Sequence, residues 1–143
     1  MPAEFFLDTN VFVYSFDASA PAKRARAREL IRSALESGDG VISWQVAQEF
    51  LNVALHRFER PLTPREAAEY VDEVLAPLCH VFPSPDLLRD ALAIHTETGF
   101  RFYDSLVVAG AAAAGARTLY TEDLQSGRQL RGLRIVNPFA PLP

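Results

Sequence analysis

The sequence contains a single cysteine, Cys79, and a single lysine, Lys23. One cysteine cannot close an internal disulfide, so the fold must rest on its core, and a lone thiol suits a reducing, cytoplasmic compartment. Cys79 is expected to act as a small buried hydrophobe rather than a reactive group. Long apolar runs are also missing: none approaches the ~20 residues that span a bilayer, which predicts no membrane association. The stretch Phe5–Phe16 is broken by Asp8, Thr9 and Asn10. It has neither a basic leader nor a small-residue cleavage site, so it does not read as a secretory signal. There is no repeat, low-complexity tract or linker, and residues 1–143 read as one domain, long enough to bury a core. An excess of positive charge is absent too. The net charge is −4, which looks unsuited to nucleic acid, although cations bound in an acidic cleft would reverse its sign. Lys23, Arg24, Arg26 and Arg28 form one basic cluster and Arg128, Arg131 and Arg134 another. Both read first as solvated surface, and they count toward RNA binding only if they share a face.

Five short apolar runs are present: Phe5-Phe6-Leu7, Val41-Ile42, His80-Val81-Phe82, Thr118-Leu119-Tyr120 and Arg134-Ile135-Val136. Bounded by turn and cap residues, they predict strands. Helical patterns lie between them. Ala27, Leu30, Ile31, Ala34 and Leu35 recur at helical spacing within Ala22 to Ser37, and Gly38 ends the run. Ser43 can cap a helix carrying Val46, Ala47, Phe50, Leu51 and Ala54. Thr63-Pro64-Arg65-Glu66 is a capping box with proline at the first helical position. Ser84-Pro85-Asp86 repeats the cap-then-proline signal before a helix closed by Gly99. The last long helix, about Tyr103 to Ala114, is apolar all round and should be buried. Short strands alternating with helices predict an α/β fold: a central, mainly parallel sheet of about five strands between two helical layers. Ligands of such sheets gather at the carboxyl ends of the strands, where the strand order reverses.

Four acidic residues fall at that edge. Asp8 directly follows the first strand; a turn or helix-cap role is an equal reading. Glu49 sits one turn into the helix after the second strand, where an ordinary surface glutamate is the plain alternative. Asp104 opens the most apolar helix; it could serve the helix dipole, but an ionised group on so buried a helix needs compensation. Thr121-Glu122-Asp123 follows the fourth strand. Asp123 is the expected ligand, and Glu122 should point the other way if the chain stays extended.

Four carboxylates in one pocket repel one another and raise each other's pKa values unless cations screen them. Oxygen donors suit Mg²⁺ or Mn²⁺ rather than zinc, and His56, His80 and His95 show no ligand spacing. Such a hydrated site suits phosphodiester hydrolysis, with one ion activating the attacking water and a second, about 3.5–4 Å away, stabilising the leaving oxygen. Other phosphate-handling α/β folds fail on residue type. Asn10 stands where a dehalogenase-type site needs a second Asp, and Lys23 follows neither a core strand nor a glycine loop. Thr9, Asn10, Ser105 and Thr121 are expected to orient the carboxylates.

These residues resemble a known family. Leu7-Asp8-Thr9-Asn10-Val11 looks like the opening motif of PIN domains, especially VapC-type toxins of toxin–antitoxin pairs. Val46-Ala47-Gln48-Glu49-Phe50, Phe102-Tyr103-Asp104-Ser105-Leu106-Val107 and Leu119-Tyr120-Thr121-Glu122-Asp123-Leu124 are similar to the later acidic motifs, and Ile135-Val136-Asn137-Pro138-Phe139 to the last strand and tail. The resemblance implies a Rossmann-like α/β/α fold and a Mg²⁺- or Mn²⁺-dependent endoribonuclease, usually a homodimer. It also implies a small antitoxin that covers the acidic site. A DNA-directed or structure-specific nuclease and a catalytically silent protein-binding domain are the alternatives.

Overall fold

In the computed structural model, which describes residues 2–141, the elements alternate as strand and helix. β1 (Phe5–Leu7) leads into a short α1 (Thr9–Tyr14) and a long α2 (Pro21–Ser37). β2 (Gly40–Ser43) leads into α3 (Trp44–His56), then α4 (Pro64–Tyr70). A π-helical turn over Val71–Leu75 runs on into α5 (Ala76–Leu78). β3 (Cys79–Val81) is followed by α6 (Pro85–Thr98) and α7 (Phe102–Ala113), and β4 (Thr118–Tyr120), β5 (Gln129–Leu130) and β6 (Leu133–Val136) complete the chain.

The caps form where the sequence places them. Ser43 Oγ accepts from Val46 N, and Thr63 with Glu66 makes the reciprocal capping box. Gly38 and Gly99 end α2 and α6 in the left-handed conformation, at φ 73° and 75°.

The sheet has six strands in the order β3-β2-β1-β4-β6-β5, one more than expected. All pairs are parallel except β5–β6. The extra strand, β5, is two residues long and joins β6 through Arg131 and Gly132, both at positive φ (54° and 78°). That is the backbone demand of a tight primed hairpin turn, made here with Arg-Gly instead of Asn-Gly. The third strand lies one residue earlier than the apolar run suggested. Cys79 and Val81 are its buried positions, and Phe82 falls outside it, 58% exposed.

Neighbouring residues of a strand face opposite sides, and β1 makes the layering visible. A Cβ on Gly40 would collide with the Phe5 ring and with Ala34 of α2, so helix, glycine and aromatic ring meet on one face. The Phe6 ring approaches Gly110 of α7 on the other. The helices thus cover both faces, and Phe6, Leu7, Ile42, Leu119 and Ile135 are fully buried between them. α7 is buried through Ser105 and Val107–Ala111, as its composition predicts.

The chain builds outward from β1 to β3, then crosses to β4 on the other side of β1. The crevice at the carboxyl ends of β1 and β4 is therefore the point where strand order reverses. No helix among the described residues is long and apolar enough to cross a membrane.

Candidate active site

Asp8 leaves β1 into that crevice and is 6% exposed. It is also the N-cap of α1, as the cap reading expected, and that role leaves it at the crevice. Its Oδ1 accepts from Thr9 N at 2.7 Å, while Oδ2 accepts from Thr121 Oγ at 2.8 Å. Burial pushes the Asp8 carboxyl up to about 7, against the pull of those two hydrogen bonds, and the charges of Asp123 and Glu49 raise it further.

Glu49 arrives from the first turns of α3, which starts at the carboxyl end of β2. Its pKa is raised by burial and then by Asp104 and Asp123. Asp104 lies in the first turn of α7, whose cap, Arg101, makes no side-chain bond to the helix. Asp104 is raised by burial and by Asp123, against the pull of Arg101. Asp123, beyond β4, accepts from Asn10 Nδ2 at 3.2 Å, and its own N–H donates to Thr121 Oγ at 3.1 Å. Asp123 raises Asp8, Glu49 and Asp104, Glu49 also raises Asp8, and Asp104 raises Glu49, so the four residues picked out in the sequence gather at one end of the sheet.

Thr121 is the hub among the polar neighbours. Fully buried, it donates to Asp8 and accepts from Asp123 N and, at 3.4 Å, from Asn10 Nδ2. Asn10 bridges Thr121 and Asp123, and Thr9 contributes its backbone N–H. Ser105 departs from expectation. Its buried hydroxyl donates to Phe100 O at 3.4 Å, bracing the link between α6 and α7 instead of orienting a carboxylate.

Glu122 turns away from the crevice, although the chain bends there and is not extended: it accepts from Tyr14 Oη at 2.7 Å and from Lys23 Nζ at 3.1 Å. Neither Tyr14 nor Lys23 stood out as a partner of this segment; the only signal was that Lys23 is the chain's one lysine. The basic clusters are largely engaged in structure. Arg26 reaches Glu29 and Pro138 O, Arg28 bonds Ser15 O, Arg131 pairs with Glu97, and Arg128 lies over the Phe100 ring. Gln45, also unforeseen, ties the start of α3 to the start of α7 by donating to Tyr103 O at 3.1 Å.

Among the described residues, no three Asp, Glu, His or Cys side chains are placed to grip one ion together. The donor chemistry nonetheless fits a hydrated hard cation, since Mg²⁺ takes one or two carboxylates directly and keeps several waters. The buried side-chain oxygens with no partner among the described residues are Thr9 Oγ, next to Asp8 in sequence, Asn10 Oδ1, whose amide nitrogen bonds Asp123, and Gln45 Oε1. Lone pairs of this kind are what the waters of such an ion satisfy.

The PIN domain family profile matches residues 5–128. None of the curated proteins matches the sequence significantly. Solved structures do resemble the fold. One is a toxin–antitoxin complex from Klebsiella pneumoniae, with a TM-score of 0.67 and 19% identity over 94% of this chain and 98% of that one. DNA-bound VapBC from Salmonella typhimurium gives 0.64 and 20% over 93% and 96%. VapC20 from Mycobacterium tuberculosis, described as a sarcin-ricin loop cleaving toxin, gives 0.57 and 20% over 84% and 90%.

Proposed function

We propose, from the premise that this chain belongs to the PIN domain family, that it is a nuclease whose acidic crevice holds Mg²⁺ or Mn²⁺ and hydrolyses RNA phosphodiesters. The observation that carries the reading is Asp8. Its carboxyl group is 6% exposed and raised to about 7 by burial and by the charges of Asp123 and Glu49, and its hydrogen-bond partners, Thr9 N and Thr121 Oγ, bring no cation to compensate it. A bound divalent cation would supply that compensation, lower the pKa of the attacking water and offset charge on the phosphate. Asp8 and Asp104 are the proposed direct ligands, with Glu49 and Asp123 binding directly or through water. Thr121 and Asn10 fix the rotamers of Asp8 and Asp123, and Thr9 contributes through its backbone. No protein side chain need act as the nucleophile. The four acids exclude an anionic phosphate until the crevice is loaded, so substrate binding should follow metal.

The similarity in fold to structures described as toxin–antitoxin complexes supports a small antitoxin that covers this crevice. A homodimer is part of the same reading. Trp44, Phe82, Leu88 and Tyr103 stay exposed around a groove of about 450 Å³ at the start of α3, α6 and α7, and exposed Leu92 follows Leu88 one turn along α6. A contiguous apolar patch of this kind marks an interaction surface.

Purified protein should be offered single-stranded RNA, tRNA and DNA with Mn²⁺. RNA cleavage that disappears in Asp8→Asn and Asp104→Asn, both still folded, supports the proposal. Cleavage retained in either variant, with contaminating nucleases excluded, counts against it. Preference for DNA would redirect the same chemistry to another substrate, and no cleavage of any substrate would favour a silent, protein-binding domain.

A further inference from the structure

The segment after β4 is held from two sides. Thr121 and Asp123 face the crevice, bonded to Asp8 and Asn10, while Glu122 between them reaches the opposite way to Tyr14 at the end of α1 and Lys23 in α2. The outer contact is a closed triangle. Tyr14 Oη donates to Glu122 Oε1 at 2.7 Å, Lys23 Nζ donates to Glu122 Oε2 at 3.1 Å and to Tyr14 Oη at 3.3 Å, and the same ammonium lies 4.7 Å from the Tyr14 ring centroid. The Lys23 and Glu122 side chains are only 25% and 28% exposed, so this pair is better shielded than the other ion pairs of the chain. Tyr14 in turn packs edge-on against buried Phe139, ring centroids 4.8 Å apart.

We propose that Glu122, clamped by Lys23 and Tyr14, is a positioning residue that fixes the turn after β4 so that Asp123 faces the acidic cluster. Glu122 lies in a bend between two residues that face the crevice and is itself bonded on the opposite side, so anchoring it limits how the backbone of both neighbours can turn. Asp123 needs such an anchor: inside the crevice its side chain has one bond, the 3.2 Å contact from Asn10, and three nearby carboxylates repel it. The segment beyond it is a run of bends and turns, with no helix or strand to hold it until β5. The outer triangle supplies that support. The inference rests on the proposed function, because Asp123 matters only if the cluster holds a cation.

Charge and positioning predict opposite signs for one variant. Lys23→Ala deletes the cation of the triangle, and electrostatics alone would then strengthen binding of a divalent cation. Loss of the clamp weakens it, by the roughly tenfold or more typical of groups that orient a metal ligand. Tyr14→Phe changes no charge and should weaken binding by a few-fold. Glu122→Gln keeps the side chain's reach and one acceptor oxygen and should keep more affinity than Glu122→Ala. The experiment is a calorimetric Mn²⁺ titration of these variants, with thermal melts to confirm folding. Weaker binding in Lys23→Ala and Tyr14→Phe supports the clamp; unchanged or tighter binding in Lys23→Ala overturns it. If the unmodified protein binds no Mn²⁺, the proposed function fails instead. The clamp is then judged by hydrogen exchange at the Asp123 amide in metal-free protein: faster exchange in Lys23→Ala supports it, and unchanged exchange overturns it.

Discussion

Thr121 Oγ donates a 2.8 Å hydrogen bond to Asp8 Oδ2 and so joins the two strand ends that flank the sheet's reversal point. The bond crosses from β4 to β1, neighbours in space and far apart in sequence. Its effect on Asp8 opposes the main force there: burial favours the neutral acid, and this hydrogen bond favours the anion.

Replacing that hydroxyl is the first test. Thr121→Val keeps shape but removes the donor to Asp8 and the acceptor for Asp123 N and Asn10 Nδ2. In metal-free protein, an NMR titration of the Asp8 carboxyl should give a midpoint above the wild-type value of about 7. Stability should fall by about 1–3 kcal/mol because buried polar groups lose partners. An unmoved Asp8 midpoint would count against the proposed hub.

The second test is the dependence of stability on pH. Asp8 titrates near 3.8 when unfolded and about 7 when folded, so between those values the folded state holds a proton that the unfolded state has released. Stability of the metal-free protein from this group should therefore be fullest below the unfolded value, and decline as pH rises through about 7. The loss amounts to as much as about 4 kcal/mol. Asp8→Asn removes that slope and should be more stable than wild type above pH 7 when metal is chelated. Denaturant unfolding at several pH values checks both statements, and added Mn²⁺ should reverse the decline in wild type alone.

A third test addresses the apolar face. Leu92 is 54% exposed one turn beyond Leu88, on the side of α6 that continues the groove beside Trp44 and Phe82. Leu92→Arg should turn a dimer into a monomer in sedimentation equilibrium without lowering the melting temperature of the monomer. A wild-type protein that sediments as a monomer would remove the homodimer from the account.

Much of this could be read from the chain. Strand-end acids and cap signals are local, so Asp8 follows from its immediate neighbours, as do Ser43, Thr63 and the helices those two open. Asp104 was legible for a different reason, as a charge on a helix otherwise apolar. What escaped was non-local or unusually short. A two-residue strand such as Gln129–Leu130 has no periodicity to detect, and its Arg-Gly turn lacks the common composition. α1, only six residues long, was hidden inside an apolar stretch that reads equally well as a continuation of β1. Ser105 is adjacent to Asp104 in sequence, but adjacency on a helix does not mean shared direction. On a helix, neighbouring side chains diverge by about 100°, and Ser105 faces the backbone of Phe100. The partnership of Lys23 with Glu122 spans 99 residues, and no local pattern encodes it.

The central claim is that Asp8 and its acidic neighbours bind divalent cations. The most direct measurement is a calorimetric titration of Mn²⁺ into wild type and Asp8→Asn above pH 7, where Asp8 is ionised. The account predicts saturable binding to wild type and affinity at least about tenfold weaker in the variant. Equal affinities, or no binding to wild type, would contradict it.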